Sequence, residues 1–317
     1  MSGAASITRR RLLRATGGAL VGGPLVVLGG CTLRPERDHA DAQAPRAGPA
    51  RGNPGIAWVF SSGGPRGFTH IGFLKAAEEL GLAPDLIVGA SAGAMIGALR
   101  AAGMRAAAIE SLAMELELFD VVRIALSGDE RFSGGAVADL VRAQVADAAG
   151  THLIERLPIA FAAVALRRGA NAPASPVVAF NQGDIGIAVQ ASAAIEGRLT
   201  PVRIRGHLYV DADAAMPMPV RVAQSLGARS TIAVDASAHE DRAPAGAQRY
   251  QASDRIKRRL TAADADHADL VLHPDFGYWV NLSKEFRARA IEAGYRETHA
   301  AASRLKVLHS RARFQSS

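Results

Sequence analysis

Ser91 stands in the pentapeptide Gly89-Ala90-Ser91-Ala92-Gly93, the arrangement in this chain best suited to nucleophilic chemistry. An apolar run with strand character, 85–89, precedes it, and a stretch of helical character, 92–102, follows at once. A serine at such a strand-to-helix corner is held in a strained turn with its hydroxyl directed off the sheet. Glycine is needed on either side because a side chain there would collide with the adjacent strand and helix. The helix beginning at Ala92 also points the positive end of its dipole at any negative charge that develops beside the serine. The pentapeptide alone is a weak signal; its position between a strand and a helix gives it weight. The chemistry such a corner supports is attack on an acyl carbon.

A second glycine-rich strand-to-helix junction lies upstream, Ser62-Gly63-Gly64-Pro65-Arg66-Gly67. Exposed backbone N–H groups at such a junction can hold an anion or a tetrahedral oxyanion. Pro65 has no N–H, so Gly63, Gly64, Arg66 and Gly67 are the candidate oxyanion-hole residues. A tight turn and a nucleotide-phosphate loop are the other readings. The dinucleotide pattern G-x-G-x-x-G is not met, since Ser62 occupies its first glycine, and the Gly-Lys-Ser/Thr of a P-loop is missing. Neither a His-x-Glu-x-x-His pattern nor a cysteine cluster occurs, so no metal or cofactor is expected. Of the nine histidines, His70 falls just behind the glycine loop, while His267 and His273 follow Asp211 in the order of a Ser…Asp…His hydrolase.

The pair Gly63-Gly64-x-Arg66-Gly67 and Gly89-x-Ser91-x-Gly93 resembles the patatin-like phospholipases. Similarity continues through Ala191–Ile195, Pro201, Asp211, Pro217-x-Pro219 and Leu226-Gly227-Ala228, from about residue 56 to 234. The resemblance implies a lipid acyl hydrolase of the phospholipase A or esterase type, needing no catalytic histidine. It implies Ser91 as nucleophile, Asp211 as general base, and backbone amides of the glycine loop as oxyanion hole. Arg66 could also hold a substrate phosphate. A free aspartate, with a pKa near 3.9, takes a serine proton poorly at pH 7, so Asp211 is expected to be buried.

The chain departs from the family pattern at four places. Ala212 and Asp213 stand where the family has Gly and Gly or Ala, Glu196 replaces a proline, and Ser62 replaces a glycine. If position 212 required a positive φ, alanine would cost roughly 1 kcal/mol and tilt Asp211. A fold kept for binding without turnover, and a Ser-His-Asp α/β-hydrolase, therefore remain as alternative readings.

The elements that must position these residues read as alternating buried strands and helices. Strand candidates are 56–61, 85–89, 159–166, 176–180, 208–210, 231–234 and 270–272; helix candidates are 68–80, 92–102, 106–118, 135–148, 185–195, 219–226 and 283–305. Strand–helix–strand–helix within fifty residues implies parallel strands with right-handed crossovers. The expected fold class is α/β, a three-layer αβα sandwich with a mostly parallel central sheet, occupying 56–317. At 317 residues there is room for one such domain.

Residues 1–30 read as an export signal: Thr8-Arg9-Arg10-Arg11-Leu12-Leu13-Arg14 resembles a twin-arginine signal, and Leu28-Gly29-Gly30-Cys31 a bacterial lipobox. That resemblance implies a lipid on Cys31, the sole cysteine, and a membrane-anchored lipoprotein on the periplasmic face, in the outer membrane where the cell has one. Residues 31–55, rich in Pro, Ala, Gly and charge, are expected to form a tether of roughly 27 Å root-mean-square span. The net charge of +7 does not argue for nucleic acid. The four arginines of the signal account for most of it, leaving about +3, and no basic stripe carries interleaved aromatics. The run 255–259, Arg-Ile-Lys-Arg-Arg, reads most simply as a solvated helix face, with anionic lipid headgroups as the other possibility.

Overall fold

The apolar run at 56–60 forms β1 (Ile56–Phe60), every residue of which is buried. Trp58 and Phe60 enter one hydrophobic cluster while Ala57 and Val59 enter another, the two-residue alternation of a strand covered on both faces. The structure is a computed structural model describing residues 37–125, 129–169 and 177–314.

From β1 the chain passes through a 3-10 turn (Gly64–Phe68) into α1 (Thr69–Glu79), then β2 (Leu86–Ala90) and α2 (Ala92–Ala101). There follow α3 (Ala106–Glu115), α4 (Leu118–Val121), the short pair β3 (Arg123–Ile124) and β4 (Phe132–Ser133), and α5 (Gly135–Ala149). The second half comprises β5 (Ala160–Arg168), β6 (Val177–Phe180), α6 (Ile185–Ser192), β7 (Val202–Ile204), β8 (His207–Asp211), α7 (Val220–Ser225), β9 (Ser230–Val234), α8 (Gln248–Ala265), β10 (Leu270–Leu272), α9 (Lys284–Ala300) and α10 (Ala302–Phe314). Strands β10, β9, β1, β2 and β5 are parallel neighbours in that order, and β6, β7 and β8 join antiparallel. Helices α1, α2, α3, α5, α6 and α9 cover one face of this sheet, and α7 with the end of α8 covers the other. The expected three-layer α/β sandwich with a mostly parallel sheet is what the chain forms.

Helices α1 and α9 pack so closely that a Cβ on Gly72 would fall 1.9 Å from the Ile291 carbonyl oxygen, and one on Gly294 would fall 2.1 Å from that of Thr69. Both positions admit only glycine at this approach.

Two expectations need correction. The helix expected over 283–305 is two helices, α9 and α10, separated at Ala301. The tether expected over 31–55 does not hold for 37–55. His39 donates its N–H to Arg203 O (2.9 Å) and accepts from Arg205 N (3.1 Å), adding to the free edge of β7; Arg46 exchanges backbone bonds with Gln182; Ala44 is fully buried. Composition misled because this segment is held mainly by backbone pairing, which leaves no hydrophobic period in the sequence. The packed unit therefore begins before residue 56. The export signal and Cys31 lie outside the described residues.

Candidate functional site

Ser91 occupies the corner between β2 and α2 with φ 53° and ψ −121°, a conformation rarely taken by residues other than glycine. The chain tolerates it because its surroundings are locked. A Cβ on Gly89 would lie 2.5 Å from Gly93 O, and one on Gly93 2.3 Å from Phe60 O. The Ser91 N–H donates to Ser192 Oγ (2.9 Å), whose own hydroxyl donates to Val164 O (2.6 Å). Ser91 itself is 5% exposed.

Asp211 reaches this corner through sheet register. Along β5, residues 163–166 pair with β6, residues 160–164 with β2, and residues 165–168 with β8. Because β6 overlaps both of the others, β2 and β8 share the opposite edge of β5 and meet end to end. Ala90 pairs with Val164 and Asp211 with the next residue, Ala165. Ser91 stands beside the Asp211 carboxyl and holds its proton affinity down, Asp213 N–H donates to Asp211 Oδ1 (2.8 Å), and Asp211 N–H donates to Ala194 O (2.9 Å).

Burial pushes the Asp211 carboxyl up to about 7; the hydrogen bond from Ser91 opposes the rise, the charge of Asp213 adds to it, and Lys257 opposes it. Near neutral pH such a group exists in both protonation states, as proton exchange with a serine hydroxyl requires.

Ala212 does not take the positive φ that would make its methyl a strain, for only Ser91 and Arg205 do so among the described non-glycine residues. Its side chain is fully buried. The physical ground for suspecting a tilted Asp211 is thereby removed.

The glycine loop narrows the set of candidate oxyanion donors. Gly64 has φ +53°, which glycine adopts without strain, and it opens the 3-10 turn. The N–H groups of Gly63 and Gly64 have no protein acceptor among the described residues. By contrast, Arg66 N–H donates to Gly63 O (3.1 Å). A Cβ on Gly67 would come 2.6 Å from Ala92 Cβ, so Gly67 lets the turn sit against the start of α2. The Arg66 guanidinium donates to Tyr278 O (2.8 Å) and lies over the Tyr278 ring.

The histidines lie elsewhere. His70 is fully buried, stacked on Phe60, with Nε2 on Ser61 O (2.9 Å), and burial lowers its pKa to about 4. His273, at the end of edge strand β10, stacks on His239 and bonds Ser237 O (3.1 Å). His267 follows the end of α8, where its carbonyl accepts from Gln224. Among the described residues no His, Cys, Asp and Glu cluster could hold a metal.

Two contributors were not singled out from sequence. Ser192 falls in the Ala191–Ile195 stretch, whose similarity was visible but whose hydroxyl had no assigned task. Lys257 falls in the basic run 255–259, whose composition reads as a solvated face. Its ammonium instead turns inward, 2.6 Å from Asp213 Oδ1 and 3.3 Å from Ser62 O. A cavity of about 240 Å³ between Arg51, Leu86, Phe161 and Leu226 opens at the beginnings of β2 and β5, the opposite end of these strands from Ser91. It is therefore not the site.

A serine on a strained strand–helix corner beside a buried carboxyl, mounted on a three-layer α/β sandwich, defines an α/β protein with a hydrolase-type nucleophile corner. The patatin-like phospholipase profile matches residues 58–223, and the chain belongs to that family, with its phospholipase-like hydrolytic character at family level. An uncharacterised NTE family protein of Mycobacterium tuberculosis is 34% identical over 199 residues, covering 62% of this chain and 54% of the relative. Patatin-like phospholipase domain-containing protein 6 of Homo sapiens is 31% identical over 194 residues, 59% of this chain and 14% of that protein. The chain thus spans about half the length of the mycobacterial relative and much less of the human one. The crystal structure of VipD from Legionella pneumophila has a similar fold, with a TM-score of 0.55 at 14% identity, over 85% of this chain and 71% of that one.

Proposed function

We propose that this protein is a lipid acyl hydrolase cleaving acyl ester bonds with Ser91 as nucleophile and Asp211 as general base. The observation that carries this is Ser91, held on a positive-φ corner and set by sheet register beside a buried carboxyl whose pKa is raised to about 7. Asp211 accepts the Ser91 proton as Oγ bonds to the ester carbonyl carbon. The carbonyl oxygen becomes an oxyanion held by the N–H groups of Gly63 and Gly64, with the α2 dipole adding to its stabilisation. Collapse expels the alcohol, which takes the proton from Asp211. Water then attacks the acyl-serine, Asp211 accepting its proton and returning it to Ser91, and the fatty acid leaves.

A base contributes about 10²–10⁴ in rate and an oxyanion donor about 10²–10³. The test is hydrolysis of a short p-nitrophenyl ester and of phospholipid vesicles by wild type, Ser91→Ala and Asp211→Asn. Loss in both variants supports the pair. A wild type that is folded but inactive on both substrates favours the binding-only reading.

We further propose that residues 1–30 export the chain and that a lipid on Cys31 anchors it at a membrane, with lipid or acyl ester as its partner. Among the described residues no helix is long and apolar enough to cross a bilayer. Incorporation of radiolabelled palmitate by wild type and not by Cys31→Ser is the expected result.

A further inference from the structure

The site contains a charged arrangement that the hydrolytic scheme does not use. Asp213 follows Asp211 by two residues and sends its carboxylate away from it, to the Lys257 ammonium at 2.6 Å and the Ser62 hydroxyl. Lys257 also donates to Ser62 O at 3.3 Å, and Ser62 N–H donates to Pro217 O at 2.7 Å. One lysine from α8 therefore joins the segment after β8 to the residue that immediately precedes Gly63. Its side chain is only 18% exposed, whereas its neighbours Ile256 and Arg258 are exposed.

We propose that Lys257 is a positioning residue for the ester hydrolysis: as counter-ion to Asp213 and partner of Ser62, it holds the Asp211 carboxyl and the glycine loop in working register around Ser91. The inference rests on the Ser91–Asp211 reading. Two negative carboxylates two residues apart would compete for protons. With Lys257 countering the Asp213 charge, the Asp213 backbone N–H fixes Asp211 Oδ1 and leaves the carboxyl beside Ser91. The Asp213 carboxylate raises the proton affinity of Asp211 and Lys257 lowers it, so the pair acts on the base with opposed signs.

The other charged groups packed nearby do not take this role. Asp235, at the end of β9, faces Arg258 at 3.9 Å and His273 at 4.0 Å. His70 of α1, with its pKa lowered to about 4, is neutral over the working range.

The experiment is the pH profile of kcat/KM on a soluble p-nitrophenyl ester for wild type, Lys257→Met, Asp213→Asn, the double variant, Lys257→Arg and Asp211→Asn, with thermal unfolding measured for each. In Lys257→Met the acid limb is expected to move up by about one pH unit, roughly a tenfold loss at pH 6 that is largely recovered at pH 9. In Asp213→Asn the limb moves down, in the double variant it returns toward wild type, and Lys257→Arg restores the wild-type profile. Opposed shifts are not produced by a lysine that merely holds a helix in place. Unmoved acid limbs in a set where Asp211→Asn is inactive overturn the inference and leave the Ser91–Asp211 pair standing, whatever happens to melting temperature. Near wild-type turnover in Asp211→Asn overturns the pair itself and the inference with it.

Discussion

Asp211 and Ala90 end two strands that meet head to head along one edge of β5, paired with its adjacent residues Ala165 and Val164. Ser91 continues from Ala90, so the carboxyl and the hydroxyl are brought together by sheet register and not by a flexible loop. The separation of 120 residues in sequence disappears in one step of a ladder.

That placement makes the pH dependence predictable. With Asp211 raised to about 7 and proposed as the base, kcat/KM should rise with pH through about 7 and level off above it. Asp211→Asn should lose roughly 10²–10⁴ of it at pH 8. Stability should move the other way. A carboxyl whose folded pKa lies above its unfolded value contributes stability that is fully present below about pH 4 and lost as pH rises through about 7. Asp211→Asn has no such loss, so its melting temperature should gain on wild type between pH 4 and pH 8. Parallel melting curves at both pH values would show that Asp211 is not protonated near neutrality.

Ser192 is the support of the elbow. Replacing it by alanine leaves the buried Ser91 N–H without its partner and removes the bond to Val164 O, a loss of about 1–3 kcal/mol. The expected outcome is a lower melting temperature together with a fall in kcat larger than any change in KM, because the defect lies at Ser91, the proposed nucleophile. Equal kcat with reduced stability would confine Ser192 to a packing role.

Much of this was legible in the residues, and the failures have physical causes. Ser91 and its flanking glycines could be read because the strained corner demands small neighbours in a fixed pattern. Strands β1, β2 and β9 could be read because parallel strands buried on both faces are continuously apolar. The register that joins β8 to β2 could not, since it depends on β5 being long enough to serve three partners. Lys257 was hidden because a basic run on a polar helix gives no sign of which member turns inward. The 37–55 segment was hidden because backbone pairing with an edge leaves no trace in composition.

That segment gives a prediction of its own. Chains beginning at residue 37 and at residue 56 differ by the bonds from His39 to β7 and from Arg46 to Gln182, and by the burial of Ala44. The shorter chain should melt at lower temperature and associate more readily, since β7 is left as an unpaired edge. Equal melting temperatures and equal monomer content by light scattering would return residues 37–55 to the status of a tether.

The histidines separate a Ser–Asp mechanism from a Ser-His-Asp one. His273 sits at the end of β10, and β9 and β1 intervene between β10 and β2, so the two strands are roughly 14 Å apart at about 4.8 Å per strand. Its partners are Ser237, His239 and, at 4.0 Å, Asp235, and none of these contacts is with Ser91 or Asp211. His267 is engaged at the end of α8, beside Gln224 of α7. Replacing either by alanine should leave kcat/KM within about threefold of wild type, against the 10²–10⁴ lost when a general base is removed. A hundredfold loss in folded His273→Ala protein would require the imidazole to reach Ser91, and the placing of Asp211 beside Ser91 would then have another purpose.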